Sequence, residues 1–324
     1  MVIPWSIDLK KRGFSKLFFH RIEFSLLLLV SLFFKALPEK AVYAFVRALG
    51  LIAFHIVRLR RSVTIENLRN SLGNVFGETE LEKIAEEAYV NTAMTFSEML
   101  FFQRLVWKVP SRIDMTEISL LTREFEKGKG VILVSGHFGS WELNLAVIGK
   151  YGYPLTVVAK QQSNLLVDEY INRNRITGNM QLVSTGAPLK QIVRALRDKE
   201  IAGLISDQDA GTKGVFVNFF GRLASTPRGG AELALRYNVP IIVMATVRTS
   251  PGYYKALLRE VSVYPDDTVE TLTQRYTTIL ENIVRDYPEQ YFWMHRRWKT
   301  QPSEKKSGEI NKKTKDAGLS GEML

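Results

Sequence analysis

The run Val131-Ile132-Leu133-Val134 closes on Ser135-Gly136, and His137, a helical pattern and Glu142 follow at once. An unbroken apolar run of this length, bounded by small polar residues, suits a strand buried on both faces, as in a parallel sheet. Such a strand handing over directly to a helix is one unit of an α/β fold, and α/β sheets bind ligands beyond the carboxyl ends of their strands. His137, one of four histidines in 324 residues, falls at that place. A neutral imidazole there can take a proton, and a nearby carboxylate can fix its tautomer and stabilise the imidazolium. His137 is therefore a candidate general base and Glu142 its candidate orienter. Gly136 and Gly139 let substrate or backbone approach closely. The plainer alternative is a structural loop histidine, with Glu142 favouring the first turn of its helix.

Downstream the pattern repeats. Strands are expected at Val131–Val134, Leu155–Ala159, Ile201–Ser206, Ile241–Val247 and Lys255–Val261, with Phe216–Phe220 short and extended. Between them Glu142–Gly149, Leu165–Ile176, Leu189–Asp198, Gly229–Tyr237 and Thr268–Asp286 read as helices. This alternation predicts a mostly parallel, doubly wound sheet flanked by helices. Upstream, Val63–Leu72 and Glu78–Phe102 read as helices, the second capped by Thr79 with Glu82 closing a capping box. Its apolar stripe is read as Ile84, Ala88, Thr92, Thr95, Phe96 and Met99.

The first 61 residues set a second constraint. Eleven Lys/Arg against three acids leave +8 of the chain's +11, in its most apolar part. Phe24–Phe34 holds no charge, and Ala41–Val57 is broken only by Arg47 and His55. A spanning helix needs about 20 apolar residues, so the first run alone is short. Two helices lying in or dipping into one leaflet are expected, basic flanks on anionic headgroups, with a tilted single span as the alternative. Basic and amphipathic character of this kind fits a membrane surface, not nucleic acid. The chain thus divides into a basic hydrophobic arm (1–62), an α/β domain (63–302) and a polar aperiodic tail (303–324) expected to be disordered.

Other constellations fall near strand ends. Arg173 and Arg175 close a polar helix, Asn172 to Gly178, and could hold phosphate with forked donors or simply face solvent. Asp207-Gln208-Asp209 follows Ile201–Ser206; polar contacts rank above a metal site there, because no further ligands stand at metal spacing. Arg228, between Pro227 and two glycines, is a candidate anion seat at a helix start, or part of a capped start with Thr226 as N-cap and Pro227 at the first helical position. Gln290–Pro302 sets cations, Arg296 and Arg297 among them, between aromatics, for headgroup binding or for cation–π stacking. The chain has no cysteine, and neither Ser135 nor Ser140 sits in a G-x-S-x-G elbow. Covalent catalysis lacks a nucleophile, which leaves a base acting on the substrate itself.

His137-Phe-Gly-Ser-Trp-Glu142 resembles the H-x-x-x-x-D/E signature of the lysophospholipid acyltransferase superfamily. Asp207–Gly211, Val215–Arg222, Ser225–Gly229 and Phe292–Thr300 resemble, in order, blocks of the bacterial lipid A late acyltransferases, over about residues 20 to 302. Asn218 stands where that family commonly has proline. Mycobacterial phosphatidylinositol mannoside acyltransferases share the framework. The resemblance implies an acyltransferase-like fold and direct transfer of a fatty acyl chain from a thioester to a hydroxyl of a lipid A precursor, with His137 as base and Glu142 as orienter. It implies that Arg173 or Arg175, and Arg228, hold phosphates or help the oxyanion, and that Asp207 and Asp209 shape the acceptor pocket. Acyl carrier protein or acyl-CoA is the implied donor, the cytoplasmic face of an inner membrane the implied location, and no cofactor or metal is called for. A non-catalytic lipid-binding scaffold and a lipid esterase are the readings from other classes.

Overall fold

The computed structural model describes residues 14–176, 180–184 and 188–302. Lys10 to Arg12 of the basic arm, Gly178 and the tail 303–324 lie outside the described residues. The strands are β1 (Ile113–Asp114), β2 (Val131–Ser135), β3 (Leu155–Ala159), β4 (Met180–Ser184), β5 (Ile201–Ile205), β6 (Val215–Phe219), β7 (Arg222–Thr226), β8 (Ile241–Ser250) and β9 (Tyr253–Val261). The helices are α1 (Phe14–Ala36), α2 (Glu39–Ile52), α3 (Arg61–Leu72), α4 (Glu78–Leu100), α5 (Phe102–Val106), α6 (Val109–Arg112), α7 (Ile118–Glu126), α8 (Trp141–Lys150), α9 (Leu165–Arg175), α10 (Pro188–Arg197), α11 (Gly229–Tyr237) and α12 (Val269–Asp286).

Seven strands form one sheet in the order β1-β9-β8-β2-β5-β3-β4, parallel throughout except for β8–β9. The expected mostly parallel α/β sheet is therefore present, and β6 and β7 stand apart as an antiparallel hairpin. All five residues of β2 are buried, between β5 and β8. Its side chains alternate between two cores: Ile132 and Val134 join Ala231, Leu272 and Tyr276 on one face, Val131 and Leu133 join Leu143 and Val147 on the other. This two-sided burial is why β2 reads as a continuous apolar run.

Three local expectations are corrected. Helix α4 starts at Glu78 with Gly77 at its N-cap, and the Gly77 amide donates to Glu80 Oε2 at 3.0 Å. Thr79 lies inside the first turn and cannot cap it. The buried face of α4 includes Tyr89 and Glu98, while Phe96 is exposed. Thr226 is not a cap either: pairing with Val215 keeps it in β7, and α11 begins at Gly229 with Arg228 at the N-cap.

Among the described residues the arm contains two helical stretches long and apolar enough to cross a membrane, Lys16–Ala36 and Glu39–Val57. Helix α1 runs unbroken for 23 residues, roughly 34 Å at 1.5 Å per residue, because Arg21, Glu23 and Lys35 are carried within the helix and do not end it. It exposes Phe18, Phe19, Leu26, Leu29 and Leu32. Helix α2 exposes Phe45, Leu49 and Ile52 but buries Val42, Tyr43, Val46 and Gly50. At Gly50 a Cβ would lie 2.7 Å from Val90 Cα of α4, so the two backbones nearly touch. Gly50→Val is expected to push the helices apart and cost about 1–3 kcal/mol. A thermal melt of the variant checks this; an unchanged midpoint would mean that α2 does not rest on α4 in solution.

Candidate functional site

The loop after β2 is held from three sides. Gly139 has φ +53°, and a Cβ there would come within 2.1 Å of the Thr246 carbonyl of β8. The close approach anticipated for this glycine is thus to backbone. The Gly139 amide donates to Gln290 O (2.8 Å) and the Ser140 amide to Thr246 O (3.0 Å). The Ser140 hydroxyl donates to Glu98 Oε2 (2.7 Å), and Thr95 Oγ1 donates to Gly139 O (2.8 Å).

His137 is thereby set beside Asp207, which leaves β5 at the same level. The His137 amide donates to Asp207 Oδ2 (2.9 Å) and ring Nδ1–H to Oδ1 (2.8 Å). With Nδ1 carrying the proton, Nε2 is left with a lone pair. The His137 side chain is 24% exposed and Asp207 only 2%. Burial disfavours the imidazolium, but the charge and hydrogen bond of Asp207, helped by the Glu142 charge, outweigh it and hold His137 above the ordinary histidine value. Burial also opposes ionisation of Asp207; its bonds to His137 and the Arg297 charge bring it below the usual carboxylate value.

The carboxylate on the imidazole is therefore Asp207, not Glu142. Glu142, in the first turn of α8, receives both forks of Arg175, from Nε and Nη2 at 2.8 Å each. Burial opposes the Arg175 charge, and Glu142 more than compensates, raising its value. Arg173, two residues earlier, points to solvent and pairs with Glu169 at 2.5 Å. Of the two arginines only Arg175 reaches the site, because its side chain turns inward to Glu142 while that of Arg173 stays in solvent.

Asp209 holds the segment that follows Trp298: it accepts from Thr300 N (3.1 Å) and Thr300 Oγ1 (2.9 Å). Arg297 is buried and donates to Ser225 O (2.6 Å) and Thr226 Oγ1 (2.5 Å), over the Phe219 ring. It ties the C-terminal segment to the β6–β7 hairpin, so the headgroup expectation fails for it; Arg296 alone of the pair is exposed. Arg228 is exposed at the N-cap of α11 and pairs with Glu232 at 2.7 Å, while its neighbours Pro227, Gly229 and Gly230 line a cavity.

That cavity holds about 570 Å³, within the range of small-molecule sites. His137, Glu142, Arg175 and Gln208 contribute polar groups, and Val157, Leu182, Ile192, Leu204 and Leu233 line it with hydrocarbon. A hydrogen-bonded base at the edge of an apolar trough can deprotonate a hydroxyl beside a long apolar substituent. Among the described residues no cluster of three or more His, Asp or Glu is arranged to hold a metal.

Sequence reasoning missed the group beneath the loop. Arg248 of β8 donates to Glu98 Oε2 (2.9 Å) and Oε1 (3.2 Å), to Asn91 Oδ1 (2.7 Å) and to Thr95 Oγ1 (3.2 Å), with Glu98 and Arg248 both almost fully buried. Tyr43 and Tyr254 also donate to Glu98 Oε1, at 3.1 and 2.5 Å. The spacing of Asn91, Thr95 and Glu98 along α4 was the available signal: a polar stripe at i, i+4 and i+7 within an apolar helix. In an NMR titration the His137 ring should change charge above the ordinary histidine value. In Asp207→Asn it should change below that value, since burial then dominates; an unmoved titration would refute the coupling.

The family model for bacterial lipid A biosynthesis acyltransferases matches residues 11–300. The chain is 29% identical over 263 residues to the lipid A biosynthesis palmitoleoyltransferase of Escherichia coli (strain K12), covering 78% of this chain and 83% of the relative. It is 26% identical over 275 residues to the lipid A biosynthesis lauroyltransferase of the same strain, covering 82% and 88%. It is 21% identical over 245 residues to the phosphatidylinositol mannoside acyltransferase of Mycolicibacterium smegmatis, covering 72% and 79%.

Proposed function

This chain belongs to the bacterial lipid A biosynthesis acyltransferase family and is an acyltransferase, and from that premise we propose that it moves a fatty acyl chain directly from a thioester to a hydroxyl of a lipid A precursor at the edge of its apolar cavity. The observation that carries the reading is the unprotonated Nε2 of His137, opposite its bond to Asp207, in a ring that lines that cavity. Nε2 takes the proton of the acceptor hydroxyl as its oxygen attacks the thioester carbonyl. The tetrahedral oxyanion then collapses, the C–S bond breaks, and the imidazolium returns its proton to the leaving thiolate. Asp207 holds the ring and stabilises its charged form. Glu142 acts on His137 through its charge and anchors Arg175, whose remaining N–H groups serve phosphate or the oxyanion.

The hydrocarbon lining of the cavity takes the acyl chain. Acyl carrier protein or acyl-CoA supplies the thioester. The apolar surface of α1 and α2, with its basic flanks, seats the arm (1–62) on an anionic membrane, and the α/β domain (63–302) works at the cytoplasmic face of the inner membrane. The exposed Arg228 and Arg296 meet acceptor phosphates outside the cavity.

The test is incubation of purified protein with acyl carrier protein thioesters and a Kdo-bearing lipid A precursor, followed by mass spectrometry of the lipids. A precursor heavier by one acyl group is expected, with the rate reduced about 10²–10⁴-fold in a folded His137→Ala. The rate should also climb with pH through an apparent value above 6.5, as the base loses its proton. A glycerolipid or mannoside acylated in place of the precursor would overturn the acceptor, and free fatty acid alone would favour the esterase. Full activity of His137→Ala would remove the general base.

A further inference from the structure

Deepening that acyl-transfer reading, on which it rests, we infer that Gln208 is a further catalytic residue, its carboxamide N–H donating to the oxyanion that forms on the thioester carbonyl. The side chain lines the cavity, and its Nε2 stands 3.5 Å from His137 Nε2. Because Nδ1–H is given to Asp207, His137 Nε2 is the acceptor and the Gln208 amide the donor in that pair. The contact is long, so the substrate can displace it at little cost.

The position follows from bond geometry. The attacking oxygen must lie one hydrogen bond from Nε2, and the carbonyl oxygen is two bonds further on. A donor that already touches Nε2 is in range of that oxygen, and rotation of the Gln208 side chain hands its N–H from the imidazole to the substrate. A neutral amide suits the task, since it stabilises the developing charge without holding a counter-charge in the resting site.

From His137 to Ser140 the loop after β2 does not offer the alternative usual for a strand-to-helix turn, where backbone amides receive the oxyanion. Those four amides are spent: His137 N–H on Asp207, Phe138 N–H on Gly136 O, Gly139 N–H on Gln290 O and Ser140 N–H on Thr246 O. Gln208, by contrast, rides on a pinned backbone. Asp207 before it is fixed by two bonds to His137. Asp209 after it accepts twice from Thr300 and donates its amide to His295 Nε2 at 3.0 Å. Burial lowers the His295 value, which keeps that nitrogen an acceptor. One short segment thus sets both the orienter of the base and the donor beside its free nitrogen, which is the preorganisation that oxyanion stabilisation requires.

The atoms balance as in ordinary thioester transfer. The acceptor C–O–H proton goes to His137 Nε2, the new O–C bond forms, the carbonyl π pair moves onto the oxygen that Gln208 meets, and its return expels the thiolate, which regains the proton. Gln208 exchanges no proton.

Gln208→Met, nearly isosteric but without a donor, and Gln208→Glu, which sets a negative charge there, are compared with wild type and His137→Ala in the transfer assay. Gln208→Met is expected to lower kcat about 10²–10³-fold while KM for both substrates and the acid limb of the pH profile stay put. Gln208→Glu is expected to be worse and to move the acid limb to higher pH. A kcat within threefold of wild type in a Gln208→Met whose melting is unchanged, beside an inactive His137→Ala, would overturn the inference alone and pass the role to Arg175 or to the first-turn amides of α8 at Trp141 and Glu142. A loss confined to KM would likewise overturn it, making Gln208 a binding residue. Should Gln208→Met melt early, Gln208→Ala and Gln208→Asn are read by the same split. Full transfer by His137→Ala would instead sink the general-base reading beneath it.

Discussion

The register between β2 and β5 is the constraint on which the site rests. Ser135 pairs with Ile205 in parallel, so both chains leave the sheet at one level, and His137 and Asp207 each lie two residues beyond that pair. A slip of one residue would turn one side chain to the opposite face of the sheet. Gly136 lets them close: a Cβ there would lie 3.2 Å from both Cβ and Cγ of Asp207. Asp207 is buried, and a buried charge is tolerable only when its oxygens are met by donors; His137 meets both. The pairing of two central strands therefore decides the tautomer of the imidazole and the direction of its free nitrogen.

A second buried ion pair, Glu98–Arg248, keeps the loop from moving off that register. Its worth is geometric before it is energetic, since desolvating two charges offsets much of their attraction, whereas loss of one partner typically costs about 3–5 kcal/mol. Every acceptor site on Glu98 is turned to use. Arg248 comes from β8, Tyr254 from β9, Tyr43 from α2 and Ser140 from the loop itself. The hydroxyl of Ser140, three residues after His137, is thus fixed to a charge held by the sheet and by two helices. The serine that sequence reasoning weighed as a nucleophile is instead the loop's anchor.

What the sequence disclosed and withheld follows the range of the interactions. Strands β2, β3, β5 and β8 were legible because two-sided burial writes them as apolar runs. Strand β4, with exposed Gln181 between buried Met180 and the partly buried Leu182, and polar β7 carry no such run and were passed over. His137 stood out by its place after β2, and Asp207 by its place after β5, but their pairing depends on a register between strands 70 residues apart. Proximity along the chain favoured Glu142, five residues on, whose true partner Arg175 sits at the end of another helix. Arg297 misled for a related reason: a cation among aromatics looks like a headgroup seat until burial shows that it stacks on Phe219 and bonds backbone. The structure itself supplied the Asp207 bond, the Arg175 fork and the Gln208 contact.

The hydrophobic arm is bonded into the same machinery. Asn164, which caps α9 by accepting from the Leu166 amide, donates to Glu23 Oε2 (2.9 Å) and to His20 O (2.8 Å) on α1. Further along α9, Tyr170 shares a 2.5 Å hydrogen bond with Ser31 of α1, and both hydroxyls reach Leu100 O of α4. The last residue of α9 is Arg175, which grips Glu142. Eleven helical residues, roughly 16 Å, thus join the arm to the cavity, and a helix of that length moves as a rigid strut. Any displacement of α1 relative to the sheet must shift Asn164 and Tyr170 or break their bonds, and a shift of α9 carries Arg175 with it. Helix α1, with Phe18, Leu26 and Leu29 turned outward, is therefore coupled through α9 to a residue that lines the cavity.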